Sequence, residues 1–445
     1  KSEKMRLFVF VVVLLLVVQT CFGAYCHGKP SKTAAPNTNP INMVAPRLIN
    51  STKNGKLFIA GGSNNEFLVA HVWGTPYEMG YAQGVMMKKQ LMGMLPGIWK
   101  YLEEQVEEVM KKVPEFIAKI IADEGLDVAL DLTYDWTVKY TGAYIYEEMK
   151  GIADASGVDY KMIRRIHQLP GLTKGSCSMF GAWGSAVKNS NTDLLQLRAL
   201  DWIVDGPFQD YPAVVVYHPN EGNGHPFANV GFSGFIGSIS GMSSNKMAIS
   251  EIGVTYPDST FKGESRFGIP FIFLLRDIIQ FDKTIDSSIN RMISAKRTCN
   301  LILGVGDGKE NEFRGFAYDA MTLDIFDDKN LLPDNSTWHP RIDNVVYWGM
   351  DWLCPAYSKR LSEEITKYHG NITPENTISN IVAMTTTGNL QVSVYDLTNN
   401  AMYVSYAKAS YQSGAAYAYE RQFTKLDMTS LFAVTSPEED NTHRN

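Results

Sequence analysis

Hydrophobic spacing divides the chain into a helical first part and a strand-rich second part. In the first part, apolar residues recur three and four positions apart over 105–121, 140–155 and 159–169, which is the spacing of one helix face. A strand-like run, Phe67 to Trp73, precedes Thr75-Pro-Tyr-Glu. That tetrapeptide predicts a helix start, because it combines a capping Thr, a Pro at the first helical position and a Glu three residues after the cap.

From Cys177 onward, short apolar runs alternate with Gly, Asn and Ser turns. This pattern predicts strands and a few helices. The strands are expected at 179–187, 194–200, 213–217, 235–240, 247–252, 300–305, 313–318, 344–348, 390–397 and 401–406, and the helices at 268–280, 284–295, 357–367 and 374–384. Because the strands come in runs rather than alternating with helices, the pattern favours two stacked sheets flanked by helices over a doubly wound parallel sheet.

The N-terminus has the parts of a secretory signal. Met5-Arg6 is followed by an apolar run to Val18 and by small residues near Gly23, which predicts a signal peptide over 1–23. A membrane anchor is the alternative, but the run is too short to span a bilayer comfortably. No other stretch is apolar enough to span a membrane, so we expect a secreted or lysosomal protein. N-glycosylation sequons fit that compartment and begin at Asn50, Asn335 and Asn371.

Composition excludes several functions. The net charge of −6 argues against a nucleic-acid partner, which would need a basic face. The sequence contains no His-x-x-x-His or Cys-x-x-Cys pair, so no metal site is expected. The stretch Gly304-Val-Gly306-Asp-Gly308 lacks the further residues of a phosphate-binding loop, and we expect no cofactor.

Cysteine usage sharpens the prediction. Removal of the signal leaves Cys26, Cys177, Cys299 and Cys354, and an oxidising compartment favours their pairing. Thiol chemistry at Cys177 requires that it stay unpaired, which leaves at most one bridge, guessed to be Cys299–Cys354. The alternative is that Cys177 is a structural half-cystine or a small buried hydrophobic residue.

Cys177 is the candidate nucleophile. A thiol attacks an amide as the thiolate, so a base must remove its proton. Cleavage of the Ser176–Cys177 bond would free an α-amine, whose pKa of roughly 8 suits that task. Arg198 and Asp201 lie on the next predicted strand, and a hairpin would bring them back to Cys177.

Each of the two charged residues has an expected role. Arg198 would favour the thiolate by its charge, and Asp201 would accept a hydrogen bond from the amine. In the alternative interpretation, the pair merely ties two strands together. A donor for the oxyanion is sought at Asn344 or in backbone amides around Gly349, although an ordinary strand end looks the same.

These residues resemble a known family. The Cys-Ser…Arg-x-x-Asp-Trp arrangement is similar to that of the N-terminal-nucleophile (Ntn) amidases of the choloylglycine hydrolase, acid ceramidase and acyl-CoA:6-aminopenicillanic acid acyltransferase group. The last of these is the archetype of peptidase family C45, and the resemblance includes secreted amoebal members. It extends upstream to Trp73-Gly-Thr-Pro-Tyr-Glu-Met-Gly and to Tyr146-Glu-Glu-Met-Lys-Gly.

The resemblance implies an α+β fold, a four-layer αββα sandwich of two antiparallel sheets with a helical N-terminal pro-segment. The chain would divide into the signal peptide 1–23, a flexible lead-in 24–55, a helical segment 56–176 and a catalytic segment 177–445. Self-cleavage would separate Ser176 from Cys177, and the two fragments would remain associated.

The resemblance also implies a chemistry. Cys177 would be nucleophile and base, Arg198 and Asp201 would shape its site, and Asn344 and Arg360 would match two further family positions. The substrate would be a small-molecule or lipid N-acyl compound with a linear, non-peptide amide bond. Family members often carry Cys-Thr where this chain has Cys177-Ser178. A catalytically silent glycoprotein on the same scaffold and a phospholipase B-like acyl-ester hydrolase are the alternatives.

Overall fold

The structure is a computed structural model that describes residues 28–104, 106, 115–171, 175–202, 204, 206–409, 414 and 416–442. The expected signal peptide 1–23 and Cys26 lie outside the described residues. Within the part of the chain that is described, no helix has the length and apolar character needed to cross a membrane.

Two sheets form the centre of the molecule. The larger has ten strands in the order β1-β2-β3-β6-β7-β8-β9-β10-β11-β12. These are β1 Arg47–Thr52, β2 Gly55–Ala60, β3 Phe67–Gly74, β6 Pro212–Pro219, β7 Phe227–Phe232, β8 Gly241–Ser243, β9 Met247–Gly253, β10 Leu301–Asp307, β11 Glu312–Tyr318 and β12 Leu323–Phe326.

The smaller sheet has six strands in the order β13-β4-β5-β14-β15-β16. These are β4 Ser176–Trp183, β5 Leu194–Asp201, β13 Val345–Met350, β14 Gln391–Asp396, β15 Ala401–Tyr406 and β16 Thr424–Asp427. The central strands of this sheet, β5 and β14, are buried along their whole length.

Eleven α-helices are assigned among the described residues. They are α1 Pro76–Met86, α2 Lys88–Glu104, α3 Glu115–Glu124, α4 Leu126–Thr137, α5 Ala143–Ser156, α6 Tyr160–Ile166, α7 Phe271–Phe281, α8 Ile285–Ser294, α9 Pro355–Tyr368, α10 Met428–Phe432 and α11 Pro437–Thr442. A further helical run has a π-helical centre and consists of Pro374–Asn376, Thr377–Val382 and Ala383–Thr385.

The layers follow the expected αββα order. The two sheets pack face to face, with β4 and β5 against β9 and β10. Helices α7 and α8 cover the outer face of the ten-stranded sheet, and α9 covers the six-stranded sheet at β13. The expected fold class is therefore confirmed, with one correction: β3 and β6 pair in parallel, with Leu68 opposite Ala213. The long connection between these two strands, which contains helices α1 to α6 and the β4–β5 hairpin, allows parallel pairing.

The lead-in differs from expectation. Residues 24–55 were expected to be flexible because they are rich in Pro and Asn, but they contain strand β1. The Asn37 amide donates to the carbonyl oxygens of Tyr419 and Arg421, at 3.0 and 2.8 Å. Asn42 forms a bridge with Thr424. The side chain of Asn37 and the backbone of Asn42 thus fasten this segment to the far end of the chain, and the expectation of flexibility is wrong for this part.

The predicted strand at 235–240 is also wrong. The strand lies earlier, at β7, and Gly234 follows it with φ of +80°. The Asn229 amide then holds the carbonyl oxygens of Phe235 and Gly237, at 3.2 and 3.0 Å. The apolar residues of 235–240 therefore pack from a loop. Strands β1, β2, β8, β12 and β16 and helices α4, α10 and α11 were not predicted.

Helices α1 and α5 approach each other closely through glycines. Helix α1 begins with the predicted capping box, in which Thr75 and Glu78 exchange hydrogen bonds. A Cβ atom on Gly80 would overlap the carbonyl oxygen of Glu148, and one on Gly151 would overlap that of Tyr77. The contact therefore requires glycine on both helices.

Replacement of Gly80 by Ala is expected to lower the free energy of unfolding by about 1–3 kcal/mol, because the added methyl group forces the two helices apart. Gly231→Ala is the matched control, since a Cβ there meets no atom within 4 Å. Denaturant unfolding followed by circular dichroism measures both. Equal stabilities of the two variants would contradict the close packing.

Candidate active site

Strands β4 and β5 bring the predicted nucleophile and its charged neighbours together. They pair as the expected hairpin, with Cys177 opposite Leu200 and Ser176 opposite Asp201. Because side chains alternate between the faces of a sheet, Cys177, Leu200 and Arg198 share one face. That face looks towards the ten-stranded sheet, since β5 packs on β9.

The Cys177 thiol contacts a buried ion pair. Arg198 Nη2 lies 3.3 Å from Cys177 Sγ and 3.2 Å from Glu251 Oε2. Arg198 Nη1 is 3.5 Å from Gln391 Oε1. Cys177 and Arg198 have no exposed surface, and Glu251 has 5%. The guanidinium thus lies between a thiol of one sheet and a carboxylate of the other.

Glu251 is the residue that the sequence prediction missed. It lies on β9, where a charged residue interrupts a buried apolar strand. That anomaly is the same signal that identified Arg198 and Asp201, because an unpaired buried charge is costly. The sequence could have indicated Glu251 as a candidate residue, but only the tertiary structure shows that β9 packs on β5 of the other sheet.

Asp201 has its own set of partners. Its carboxylate accepts hydrogen bonds from Thr387 Oγ1 at 2.6 Å and from the backbone N–H groups of Gly388 and Asn389, at 2.8 and 3.1 Å. Arg198 pairs with Glu251 instead. A mutual Arg198–Asp201 ion pair that ties two strands together is therefore not the arrangement found.

Burial governs the protonation of the site. It raises the pKa of the Cys177 thiol well above its usual range, and the charge of Arg198 only partly offsets this. Burial also raises the pKa of Asp201, to about 6, against the hydrogen bonds from residues 387–389. The pKa of Glu251 is raised for the same reason. In the intact chain the thiol is therefore protonated at neutral pH and needs a base.

An apolar cavity of about 120 Å³ opens beside the thiol. Its polar wall consists of Cys177, Arg198 and Glu251. The remaining walls are mostly apolar and aromatic, and they come from both sides of Cys177 in the chain: Ile98, Tyr101, Leu102, Ile166, Leu169, Pro170, Gly175, Leu200, Trp202, Phe208, Phe232, Phe235, Ile239, Phe271 and Leu390. An apolar group held in this cavity would lie next to the sulfur atom.

The structure separates Asn344 from Cys177. Strand β13 runs antiparallel to β4, so that Met350 is opposite Cys177 and Val345 is opposite Ala182. Asn344 therefore lies at the other end of the strand pair, about 20 Å away at ~3.3 Å per residue. Its Oδ1 accepts hydrogen bonds from Ser185 N and Oγ, at 2.9 and 2.8 Å. The expected oxyanion role of Asn344 is wrong.

Arg360 is likewise engaged elsewhere. It lies on α9, where its Nε donates to the carbonyl oxygen of Met384 at 3.1 Å and its Nη2 pairs with Glu364 at 3.1 Å. It is not among the residues that line the cavity. Arg360 therefore fastens α9 to the helical run that ends at Thr385.

The cysteines confirm one prediction and correct another. Cys177 is a thiol, as expected. Cys299 is also a buried thiol, whereas Cys354 is in a disulfide. The guessed Cys299–Cys354 bridge is therefore wrong. Cys299 lies two residues before β10 of the ten-stranded sheet, and Cys354 is the N-cap residue of α9, which packs on β13 of the six-stranded sheet.

The three sequon asparagines lie at the surface. Asn50 and Asn371 are exposed, and Asn335 is half-buried. Asn335 Oδ1 accepts a hydrogen bond from Thr337 Oγ1 at 2.6 Å. Their glycosylation stays a prediction.

In the Cys177→Ala chain, the change in stability caused by Asp201→Asn is expected to be more favourable at pH 7.5 than at pH 4. An Asp whose pKa rises from 3.8 to about 6 on folding binds its proton more tightly when folded. The free energy of unfolding of the chain with Asp201 therefore falls by roughly 3 kcal/mol as the pH rises between these two pKa values. Thermal unfolding of both chains between pH 4 and pH 7.5 measures the difference. A difference in Tm that does not change with pH would contradict the buried, raised pKa.

Solved structures share the general architecture only distantly. The Caenorhabditis elegans N-acylethanolamine-hydrolyzing acid amidase ortholog is 12% identical, with a TM-score of 0.38 over 56% of this chain and 100% of that one. Penicillin V acylase from Agrobacterium tumefaciens is also 12% identical, with a TM-score of 0.36 over 52% of this chain and 83% of that one. Likeness at this level transfers no chemistry.

Full-length relatives are found by sequence, although no protein-family model matches the chain. Protein dcd1A of Dictyostelium discoideum is 36% identical over 96% of this chain and 98% of its own length. Protein dcd1B of the same organism is 33% identical over 89% of this chain and 81% of its own length. Identity of this extent over nearly the whole of both chains identifies the protein as a member of the family of the Dictyostelium dcd1 proteins.

Proposed function

We propose that this protein is a cysteine Ntn amidohydrolase, which first cleaves its own Ser176–Cys177 bond and then hydrolyses a linear amide bond of an N-acyl substrate. One observation carries the proposal: Cys177 Sγ lies on the wall of an apolar cavity, in contact with an Arg198 that is itself paired with Glu251. A structural cysteine would need neither the cavity nor the buried charges.

Self-cleavage needs only water and protein groups of this site. Cys177 Sγ attacks the carbonyl carbon of Ser176, and the C–N bond breaks as the nitrogen takes up the proton lost by the thiol. Water then hydrolyses the thioester, which leaves a carboxylate on Ser176 and an amine on Cys177. Asp201 is opposite Ser176 in the strand pair, beside the bond that breaks. We expect its carboxylate to accept the proton in transit.

Turnover would use the new amine. With a pKa of roughly 8, it accepts the thiol proton near neutral pH. Asp201 accepts a hydrogen bond from the resulting ammonium, and Arg198 stabilises the thiolate by charge. The acyl group passes to Sγ, the amine leaving group takes the proton, and water releases the acid.

The cavity favours an apolar acyl group. Apart from the polar side chains of Cys177, Arg198 and Glu251, its lining is almost wholly hydrocarbon and aromatic. Each buried methylene group contributes about 0.8 kcal/mol to binding. A lipid or small-molecule N-acyl compound therefore suits the site better than a polar peptide.

The two fragments of the cleaved protein would remain associated through a buried ionic cluster. Glu148 on α5 pairs with Arg276 on α7 at 2.6 Å, and neither has exposed surface. Gln83 and Tyr217 also donate to Glu148 Oε1, at 2.9 and 3.0 Å. Glu148 precedes the cleaved bond and Arg276 follows it, so this cluster joins the fragments without a covalent link.

The proposed route through the cell is secretory. The N-terminal 23 residues have the composition of a signal peptide, and the sequon residues Asn50, Asn335 and Asn371 are at least partly exposed. We propose a secreted or lysosomal glycoprotein.

The first test is a denaturing gel of the purified protein with N-terminal sequencing of its fragments. Wild type is expected to yield a fragment that begins at Cys177, and Cys177→Ala is expected to stay whole, because the attacking sulfur atom is absent. Cys299→Ala is the matched control: it removes another buried thiol outside the cavity and should still be cleaved. A wild-type chain that stays whole at every pH from 4 to 8 would favour the silent glycoprotein on the same scaffold.

A second test addresses the association of the fragments. Glu148→Ala leaves Arg276 buried without its carboxylate, which should cost about 3–5 kcal/mol. In the Cys177→Ala chain, denaturant unfolding should report this loss of stability. In the cleaved protein, size-exclusion chromatography should show separated fragments. Lys150→Ala, on the exposed face of the same helix, is the control and should leave the fragments together. Fragments of Glu148→Ala that still elute together with unchanged stability would contradict the role of the cluster.

A further inference from the structure

A chain of hydroxyl groups leads from Asp201 to the strand beside Cys177. Thr387 Oγ1 lies 2.6 Å from Asp201 Oδ2 and 2.7 Å from Ser178 Oγ. Ser178 Oγ in turn accepts a hydrogen bond from the backbone N–H of Met350, at 3.2 Å. Ser178 and Thr387 have no exposed surface, and Asp201 has 6%.

The direction of the hydrogen bonds follows from the chemistry of the groups. An ionised carboxylate only accepts, so Thr387 must donate its single hydroxyl proton to Asp201. Ser178 must then donate to Thr387, and the lone pair that remains on Ser178 accepts the Met350 N–H. The charge of Asp201 therefore fixes the orientation of both hydroxyl groups.

The far end of the chain is a strained position. Met350 is opposite Cys177 in the β13–β4 pair and has φ of +66°, which is unusual for a residue with a long side chain. Such a conformation persists only where surrounding contacts hold it. Ser178 Oγ supplies one of those contacts.

We propose that Ser178 and Thr387 are positioning residues, a hydroxyl relay that orients the Asp201 carboxylate towards the nitrogen of Cys177 and ties the end of β13 to that carboxylate. The proposal rests on the proposed function for the role of that nitrogen. The relay also gives a physical reason for a hydroxyl-bearing residue directly after Cys177, because Ser178 donates the hydrogen bond to Thr387.

The relay responds to the ionisation of Asp201. The ionisable groups that face this carboxylate come from several elements: Cys177 on β4, Arg198 on β5, Tyr357 on α9 and Tyr419 of the turn Ala418–Glu420, with Glu251 on β9 behind Arg198. Thr387 lowers the pKa of Asp201 against the effect of burial. Removal of the Thr387 hydroxyl should therefore matter more when Asp201 is ionised.

The decisive experiment compares Thr387→Val with Thr385→Val in the Cys177→Ala chain, which cannot self-cleave under the proposed mechanism. Thr385 is a buried threonine two residues away, and its hydroxyl has no hydrogen-bond partner among the described residues. Thr387→Val should lower Tm at both pH values, and the loss should be about 1–3 °C larger at pH 7.5 than at pH 4.5. Thr385→Val should have the same effect at both pH values, and Thr387→Ser, which keeps the hydroxyl group, should restore the wild-type dependence of Tm on pH.

A double mutant tests whether the effect acts through Asp201. In an Asp201→Asn background, Thr387→Val should lose its pH dependence, because no carboxylate remains to ionise. A Thr387→Val effect that is equal at both pH values, or that keeps its pH dependence without Asp201, would overturn the relay. If Thr387→Val does not fold, Ser178→Ala, which removes the donor to Thr387, is measured in the same way.

Self-cleavage supplies the functional measurement, in chains that retain Cys177. Thr387→Val should slow cleavage about tenfold or more, and the low-pH limb of the rate should move to higher pH, since Asp201 then ionises at higher pH. Thr387→Ser should restore both. An unchanged pH profile would overturn the positioning role. If wild type does not self-cleave, the proposed function fails, and the thermal measurements still decide the relay.

Discussion

The buried ion pair between Arg198 and Glu251 joins the two sheets at the point where the thiol lies. Arg198 belongs to the six-stranded sheet and Glu251 to the ten-stranded sheet, and the pair is 3.2 Å apart with almost no exposed surface. Charges buried this deeply are tolerated only with a partner and hydrogen bonds. The packing of β5 on β9 must therefore be kept for either charge to remain paired, and the register of β4 with β5 places the thiol beside the pair.

The burial of ionisable groups at this site lowers the stability of the fold. The cavity wall holds the Cys177 thiol and the Glu251 carboxyl group, and the Asp201 carboxyl group is buried close by; burial raises the pKa of all three. Backbone N–H groups of the loop after Thr387 offset part of the cost at Asp201. Sites that keep desolvated charges commonly lower the stability of the fold that carries them. The same desolvation strengthens every charge interaction within the cavity.

The N-terminal segment is part of the body of the protein. It contributes β1, β2 and β3 to the ten-stranded sheet, and helices α2 and α6 form part of the cavity wall. The Glu148–Arg276 pair holds α5 against α7, and the close α1–α5 contact holds α1 against α5. A cut between Ser176 and Cys177 would therefore divide the chain at the cavity while leaving both of its walls in position.

The sequence pattern alone indicated two stacked sheets flanked by helices and the β4–β5 hairpin, because hydrophobic period and turn residues are local signals. The αββα layer order came from the family resemblance, and the unpaired Cys177 from the expected thiol chemistry. The sequence also supplied Arg198 and Asp201 as neighbours of Cys177, since a hairpin fixes which residues meet. It misassigned Asn344 and Arg360 and the Cys299–Cys354 bridge. Those depend on how distant strands and helices are stacked. The tertiary structure alone decided that Glu251 faces Arg198, that residues 387–389 hold Asp201, and that helices before Cys177 enclose its cavity. Each of these contacts joins segments that are far apart in the chain, and local sequence patterns do not specify which distant segments pack together.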